Sequence, residues 1–525
     1  DNFNIILFLC NWGPHAAFQA FQEKGLKIHP EVRMIRIPCT GRISKALLFK
    51  AFEKGADGVA LVGCKPGTCR NGRGTDSANE NTEDIRDILE LLGMSKERMC
   101  LATFLPEETE AFHGFLENFC ENIKKIGKSP ITPDRVQETG TFQKKSLPEI
   151  VASYDAFACQ DCGKCTSSCP LALSGKEYSP RTLVNSLVTG NFDPEHKDIW
   201  SCLTCGICYE RCPSNVNFPE FICDIRCNLT GSDNSKRHQA HGGFFQSLMR
   251  SMASSDLKPD RWKWLPDNIS TDSDSKILFY GGCSPYFDIF FRNHHGVKTS
   301  DILADSLRLL NFFDIKPRIL DNERCCGHDL LWSGDKENFL KLAKLNIDLI
   351  RNAGIEEVIT SCPECYKTML HDYPKYGITP DFKITHIYEF LEKQIDEGAV
   401  AFNKLESNIT YQDSCRLNRL DGMKDFPRKL INRLLPEKFE EMKESRNSAL
   451  CCGNCAWTGC DSFSKALQVK RIRQAHSTGS NLLVTSCPKC QIHLRCAMDD
   501  PFLGGELEIE MADLTGVIAK TICWE

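Results

Sequence analysis

No apolar run in this chain approaches the roughly 18 to 20 residues needed to span a bilayer; even Ile5 to Leu9 stops at Cys10 and Asn11. A membrane span is therefore not expected. The residues after Asp1 show no basic segment, apolar stretch and small-residue cleavage site in succession, so no secretory signal is expected either. A surplus of positive charge is missing as well. With 64 basic and 70 acidic side chains, the formal charge is -6, which leaves no sequence-wide positive field to hold a polyanion, and nucleic acid is not an expected partner. No Gly-x-Gly-x-x-Gly follows a strand-like run, and no Walker sequence occurs. Gly281-Gly282-Cys283 replaces neither, so any flavin or nucleotide is expected on another chain.

What is abundant is cysteine, 30 in 525 residues. The chain is long enough for two to four domains with cores of their own, and its cysteine share lies below the roughly 8 to 10% of disulfide-stapled scaffolds. Such thiols are expected to hold metal in a reducing compartment, which implies a cytoplasmic location.

Residues 1–127 alternate short apolar runs with helical patterns, the pattern of an α/β domain with a parallel sheet. Strands are expected at Ile5 to Leu9, Val32 to Ile37, Gly58 to Val62 and Leu101 to Leu105. Ser44 opens one helical pattern, with Leu47, Leu48, Ala51 and Phe52 inward and Gly55 as its stop. Thr82 opens a second with Ile85, Ile88, Leu89 and Leu92. A third runs from about Glu107 to Ile126 with Phe112, Phe115, Leu116, Phe119 and Ile123 on one stripe. Residues 128–153 turn polar and proline-bearing and read as a linker. A compact cysteine-dense unit covers 154–230, and 231–275, rich in Ser, Asp and Lys, reads as a connection over the surface.

Residues 276–525 contain an internal repeat. Val358-Ile-Thr-Ser-Cys-Pro-Glu-Cys365 returns as Leu483-Val-Thr-Ser-Cys-Pro-Lys-Cys490, and Cys325-Cys-Gly-His328 as Cys451-Cys-Gly-Asn454. The offsets, 125 and 126 residues, suit two α/β lobes, 276–400 and 408–525, rather than a solenoid.

The middle unit carries Cys159-x2-Cys162-x2-Cys165-x3-Cys169-Pro and then Cys202-x2-Cys205-x2-Cys208-x3-Cys212-Pro. Three closely spaced thiolates can face one cubane, while the fourth, followed by proline, completes the other cluster. The expectation is a small α-helical bacterial-ferredoxin-like domain with two 4Fe-4S clusters. One is held by Cys159, Cys162, Cys165 and Cys212, the other by Cys202, Cys205, Cys208 and Cys169. The spacing of two by itself would also allow structural zinc.

Each lobe of the repeat offers five thiols: Cys283, Cys325, Cys326, Cys362 and Cys365 in the first, Cys415, Cys451, Cys452, Cys487 and Cys490 in the second. Most follow a strand-like run: Ile277 to Tyr280, Val358 to Thr360, Ile409 to Gln412 and Leu482 to Val484. They should therefore converge at the carboxyl ends of the strands. A tetrahedral zinc would leave one thiol over in each lobe. Cys10, Cys39, Cys64 and Cys69 are placed similarly in the first domain and suit a 2Fe-2S cluster, a single zinc or a buried or catalytic thiol set being the alternatives. Of the remainder, Cys100, Cys120, Cys223, Cys227, Cys496 and Cys523 read as packing thiols. Cys455 and Cys460 follow the second Cys-Cys-Gly closely and are candidates for a site. His328 could serve a cluster or simply be a satisfied histidine, and His294-His295 reads as a loop pair.

These motifs carry three resemblances. Residues 1–127, through Cys10-Asn-Trp12, Pro38-Cys-Thr-Gly-Arg42, Phe52-Glu-Lys-Gly-Ala-Asp-Gly-Val59 and Gly63-Cys-x4-Cys69, resemble the delta subunit of methyl-viologen-reducing hydrogenase. They depart from it at Gly13, near which relatives commonly carry cysteine. That resemblance implies one 2Fe-2S cluster passing electrons to a flavoprotein. Residues 154–229 resemble the C subunit of heterodisulfide reductase, and 276–525 its B subunit. The second likeness implies a noncubane 4Fe-4S cluster on each five-thiol set, the ten cysteines being catalytic, with the disulfide of coenzyme M and coenzyme B split between them in single-electron steps. His328-Asp-Leu-Leu-Trp332 and Asn454-Cys-Ala-Trp457 are bulkier than the glycine-rich stretches found in many B subunits. Together the resemblances imply a component of a flavin-based electron-bifurcating, multi-subunit complex. Its implied partners are an FAD-containing heterodisulfide reductase A-like subunit, a hydrogenase or formate dehydrogenase as donor, and a small disulfide substrate. The alternative is a pure electron relay to another reductase or a membrane quinone partner.

Overall fold

The computed structural model describes residues 2–131, 143–231, 233–398, 400–420 and 423–524. The chain divides into two compact units, one of Asp1–Thr139 with His241–Lys263, the other of Gly140–Ala240 with Trp264–Glu525.

The first unit is built on a parallel four-stranded sheet. Its strands are β1 (Ile5–Cys10), β2 (Val32–Ile37), β3 (Gly58–Gly63) and β4 (Met99–Thr103), in the order β2-β1-β3-β4. Ile5 pairs with both Val32 and Gly58, so β1 and β3 are central, and β3 is buried along its whole length. Parallel strands covered on both faces read as continuous apolar runs, which is why β1 and β3 were visible in the sequence. Phe18, Phe21, Phe112, Leu116, Phe119 and Ile123 close a core over β1 and β3.

Four expectations for this unit are corrected by the fold. A helix at Gly13–Glu23 had no counterpart; Pro14 lies in its first turn, where the missing N–H costs nothing, and Ala17, Phe18 and Phe21 are buried. The helix expected from Thr82 spans Gly74–Leu91, with Thr82 inside it bonding back to Ala78 O at 2.8 Å. The fourth strand starts two residues early, at Met99. In helix Lys45–Glu53, capped by Ser44 as expected, Leu47 is 46% exposed instead of inward.

The segment 231–275 is not a surface connection throughout. Its helix Phe244–Met252 packs on Lys45–Glu53, with Phe244 and Phe49 rings 5.4 Å apart and Arg250 bonded to Glu53 at 2.7 Å. Phe245, Leu248, Met249 and Met252 are buried. Part of the expected linker, 132–142, lies outside the described residues; its end forms a helix, Leu147–Ser153, closed by a Ser146/Glu149 capping box.

In the second unit the cysteine-dense region is a set of short helices, among them Lys164–Ser167, Pro170–Leu173, Pro180–Val188, Ile207–Glu210 and Phe218–Leu229. The repeat follows as two parallel sheets. The first holds β5 (Ile277–Tyr280), β6 (Glu357–Thr360) and β7 (Lys383–His386), in that order. The second holds β8 (Asn408–Tyr411), β9 (Lys438–Phe439), β10 (Leu482–Thr485) and β11 (Glu510–Asp513), in the order β11-β10-β8-β9. The pairs β5-β6 and β8-β10 correspond, and Cys362 and Cys487 each stand two residues past the end of their strand. One core, from Ile150 and Trp200 to Leu467, Leu494 and Ile509, joins the short helices to the second lobe.

Candidate functional site

In the first lobe Cys283, Cys325, Cys326, Cys362 and Cys365 line one cavity. Their thiols form a hydrogen-bonded series, Cys283 to Cys325 to Cys326 to Cys365 to Cys362. The bonds from Cys283 and Cys326, and the N–H of Gly327, favour a thiolate at Cys325 against its burial. Gly327 has φ +84, and a Cβ there would meet Phe339 at 2.9 Å; Gly453, its counterpart, has φ +105 and would meet Ser464 O at 2.8 Å. The glycine after each cysteine pair thus allows a left-handed turn that other residues adopt only with strain.

In the second lobe Cys451, Cys452, Cys490 and Cys487 form the matching series, and Cys415 lies within electrostatic reach of Cys452 and Cys455. His493 Nδ1 lies 3.2 Å from Cys452 Sγ. The two sets face the same region. The first-lobe cavity is walled by Pro488 and Lys489 of the second lobe, and Cys487 feels the charges of Glu364 and Cys362.

The variable residues of the two Cys-Pro-x-Cys motifs, Glu364 and Lys489, form an ion pair at 2.6 Å. Lys489 also pairs with Asp329. His328 is fully buried beside them, and burial pushes its imidazole down to about 4. A neutral ring fits the bonding: Nε2 accepts from Arg416 Nε at 2.9 Å, leaving Nδ1–H to donate to Asp329 at 2.9 Å. His328, Asp329 and Glu364 bring their ligand atoms within 4.8 Å of one another, an arrangement able to hold a cation. Lys489 already pairs with both carboxylates.

In the short-helix region Cys169, Cys202, Cys205 and Cys208 line one cavity with Tyr178. Burial pushes the Cys169 thiol up to about 12, a cost that a bound metal would remove by taking the thiolate. Cys165 lies within electrostatic reach of Cys159 and Cys208, and helix Lys164–Ser167 packs on Ile207–Glu210. Cys162 is exposed; Cys212 accepts the Val216 N–H at 3.4 Å. The two loops share a backbone form, with Asp161 at φ 50 and Thr204 at φ 44 in equivalent places.

Thr204 is also the junction to the second lobe. Arg416 donates to Thr204 O at 3.0 Å, to Thr204 Oγ1 at 3.1 Å and to Cys455 Sγ at 3.3 Å. Arg419 donates to Cys205 O and Ala449 O, both at 2.8 Å. Cys455 thus joins this junction, and Cys451 lies within electrostatic reach of Cys205. Sequence reasoning missed Arg416, Arg419 and Thr204, though Cys415-Arg416 and the Glu-for-Lys exchange in the repeated Cys-Pro-x-Cys were there to be read. Cys223 is the packing thiol expected, buried with its Sγ 3.2 Å from Leu331 O.

In the first unit Cys10 and Cys64 Sγ lie 3.9 Å apart. A Cβ added at Gly74 would stand 2.7 Å from Cys69 Sγ and 2.8 Å from Cys39 Sγ. The four thiols form two close pairs, Cys10 with Cys64 where β1 and β3 end, and Cys39 with Cys69 where helix Gly74–Leu91 begins. Burial opposes ionisation of Cys69, but the N–H groups of Asn71, Gly74 and Thr75 together with Cys39 outweigh it and lower its pKa. Gly74→Val is expected to push Cys39 and Cys69 apart and abolish the absorption and iron of any group bound there. The count is iron per chain in the variant against the parent.

Thiol-only, converging donor sets fit iron–sulfur clusters at these places, and the comparisons agree. Residues 5–127 match the family "methyl-viologen-reducing hydrogenase, delta subunit", 143–216 the "4Fe-4S dicluster domain", and 279–370 and 409–495 the "cysteine-rich domain". The chain thus carries, in order, stretches that match three different domain families. It is 26% identical to the D subunit of the dihydromethanophenazine:CoB–CoM heterodisulfide reductase of Methanosarcina acetivorans, over 74% of this chain and 98% of that one. It is 25% identical to the B subunit of the fumarate reductase (CoM/CoB) of Methanothermobacter marburgensis, over 92% and 94%. The EtfAB:quinone oxidoreductase of Syntrophomonas wolfei is 27% identical over 41% of this chain and 30% of its own length. These relatives support an iron–sulfur oxidoreductase subunit. No helix among the described residues is long and apolar enough to cross a membrane.

Proposed function

We propose that this chain reduces a small disulfide, such as that of coenzyme M and coenzyme B, between its two five-cysteine sets. It acts as a cytoplasmic component of a flavin-based electron-bifurcating complex. Electrons from a hydrogenase or formate dehydrogenase enter through Cys10, Cys39, Cys64 and Cys69 to a heterodisulfide reductase A-like FAD subunit. They return through the two cubane sets of the short-helix region. The observation carrying this reading is the wall of the first-lobe cavity, to which Pro488 and Lys489 of the second lobe contribute beside the five thiols.

Cysteines Cys283, Cys325, Cys326, Cys362 and Cys365 would hold one noncubane cluster, and Cys415, Cys451, Cys452, Cys487 and Cys490 the other. When bound, such a pair supplies electrons singly to a sulfur–sulfur bond that needs two, along with two protons, to give two thiols. This chain's residues shape the place: Lys489, Glu364 and Asp329 fix the two Cys-Pro-x-Cys loops against each other, and Arg416 and Arg419 hold the Thr204 loop beside Cys415 and Cys451.

Anaerobically purified protein is expected to carry about 18 irons per chain, from one two-iron and four four-iron clusters, and to reduce the coenzyme M–coenzyme B disulfide with a reduced viologen. Full iron without turnover would instead establish the second reading, an electron relay to an acceptor on another chain, which the match to a quinone oxidoreductase favours.

A further inference from the structure

Outside the cluster sites, one group of side chains in the second unit has the composition of an activated thiol. Cys496, half-buried on helix Pro488–Met498, has Lys465 Nζ 3.3 Å from its Sγ. His295, from the first lobe, hydrogen-bonds the same thiol, and its Nδ1 lies 3.0 Å from Asp499 Oδ2. By sequence Cys496 reads as packing and His295 as half of a loop pair; folding instead assembles cysteine, histidine and aspartate in the order of a nucleophile, its base and the group that orients the base. Lys465 also donates to Cys496 O at 2.5 Å, which fixes the ammonium beside the sulfur. It is shared with an open groove lined by Lys470, Arg473 and Gln474.

We propose that Cys496 is a nucleophilic thiolate that captures small disulfides bearing acidic groups, with His295 and Lys465 as its cationic partners and Lys470 and Arg473 receiving the acid. The sulfur of Cys496 attacks one sulfur of the disulfide, a new sulfur–sulfur bond forms, and the old one breaks. The departing thiolate takes the proton from the His295 imidazolium. Nothing else is oxidised or reduced, and the step is independent of the clusters.

The charges around the group agree. Burial opposes ionisation of Cys496, but His295 and Lys465 outweigh it and leave the thiol below its ordinary range. Burial likewise opposes charging of His295, and Cys496 and Asp499 outweigh it, so its pKa is raised. Asp499 is shared with Arg495 at 2.9 Å, and Lys465 faces Asp500 at 3.5 Å. Cys460 lies within electrostatic reach of Cys496 and serves as a comparison, because it is exposed while partial desolvation raises its thiol. A lowered thiol keeps its thiolate as pH falls, so the advantage of Cys496 over Cys460 is greatest near neutrality and fades above both values.

The test is alkylation of the cluster-containing protein with iodoacetamide, followed by peptide mass spectrometry between pH 6 and 9. Cys496 is expected to react at pH 7 roughly threefold or more faster than Cys460, because each unit of separation raises the thiolate fraction about tenfold and lowers the thiolate's nucleophilicity about threefold. His295→Gln and Lys465→Met should each erase most of that advantage while leaving the cluster absorption intact. Glutathione disulfide is expected to leave either a mixed disulfide on Cys496 or, where Cys460 displaces it, a Cys460–Cys496 bond. It should react faster than uncharged bis(2-hydroxyethyl) disulfide, and Lys470→Met should narrow the difference. Equal alkylation of Cys460 and Cys496 at pH 7, indifference to both variants, or equal rates with the two disulfides would overturn the proposal. Cys496→Ser should abolish capture and leave viologen-linked disulfide turnover unchanged, so this proposal and the proposed function fail separately.

Discussion

Lys489→Met is expected to destabilise the second unit by about 3 to 5 kcal/mol, the range for breaking a buried ion pair by removing one partner. The lysine is 4% exposed and answers two carboxylates, the buried Asp329 and the largely buried Glu364. Methionine fills much of the same space, so packing changes little, and what remains is two carboxylates without their ammonium, Asp329 keeping only the His328 N–H. Glu364→Gln should cost far less, about 1 to 2 kcal/mol, because Lys489 keeps Asp329 and the amide oxygen can still accept a hydrogen bond. Anaerobic thermal unfolding compares the two variants, with iron content recorded at each temperature. Equal losses would show that Lys489 does not bridge the two carboxylates. A large loss confined to Lys489→Met would show that the two Cys-Pro-x-Cys loops depend on one ammonium for their mutual placement.

That dependence has a functional side. In the proposed reaction, two electrons delivered singly to one small molecule require both cysteine sets to stay in fixed register with it, and loops that drift by an ångström would forfeit much of the rate. The Glu-for-Lys exchange makes the repeat complementary to itself, since an identical residue in both motifs would set like charges together. Duplication alone supplies two similar lobes; the exchange supplies a reason for them to associate face to face.

How much of this was legible in the sequence follows from the range of the interactions. The strands of the sheets are apolar runs ended by turn residues, a local signal, and β2, β5 and the starts of β1 and β3 fell where the runs lie. Cysteine spacing is equally local, which is why the thiol sets could be written down before any fold was known. Helix Gly13–Glu23 escaped because Gly13-Pro14 reads as a turn, although proline in a first helical turn is just as good a start. Helix Phe244–Met252 escaped because Ser and Asp on both sides mask nine residues with a strongly one-sided apolar face. The remaining omissions are long-range. Arg416 meets Thr204 across 212 positions and His295 meets Asp499 across 204; no period or spacing records such contacts, only the topology that makes them.

Arg226 is the other long-range residue whose loss should be severe. Its guanidinium is 0% exposed and donates to Ile199 O at 2.9 Å, Cys202 O at 2.7 Å and Trp332 O at 2.9 Å. It thereby ties the loop that starts the second cysteine run to helix His328–Trp332 of the first lobe. Arg226→Met removes the charge, so no buried cation is left behind, but strands three carbonyls at about 1 to 3 kcal/mol each. Arg226→Lys does not rescue it, because a single ammonium cannot reproduce a planar fork reaching three acceptors in three directions. Both variants are expected to lose about four irons per chain, one four-iron cluster, as the Cys202 loop releases its hold, while the thiol set of the first unit keeps its own. The measurement is iron per chain together with low-temperature electron paramagnetic resonance of the reduced protein. Full iron content in Arg226→Lys would mean that the loop is held by its cysteines alone and that the arginine serves only the packing around Trp200.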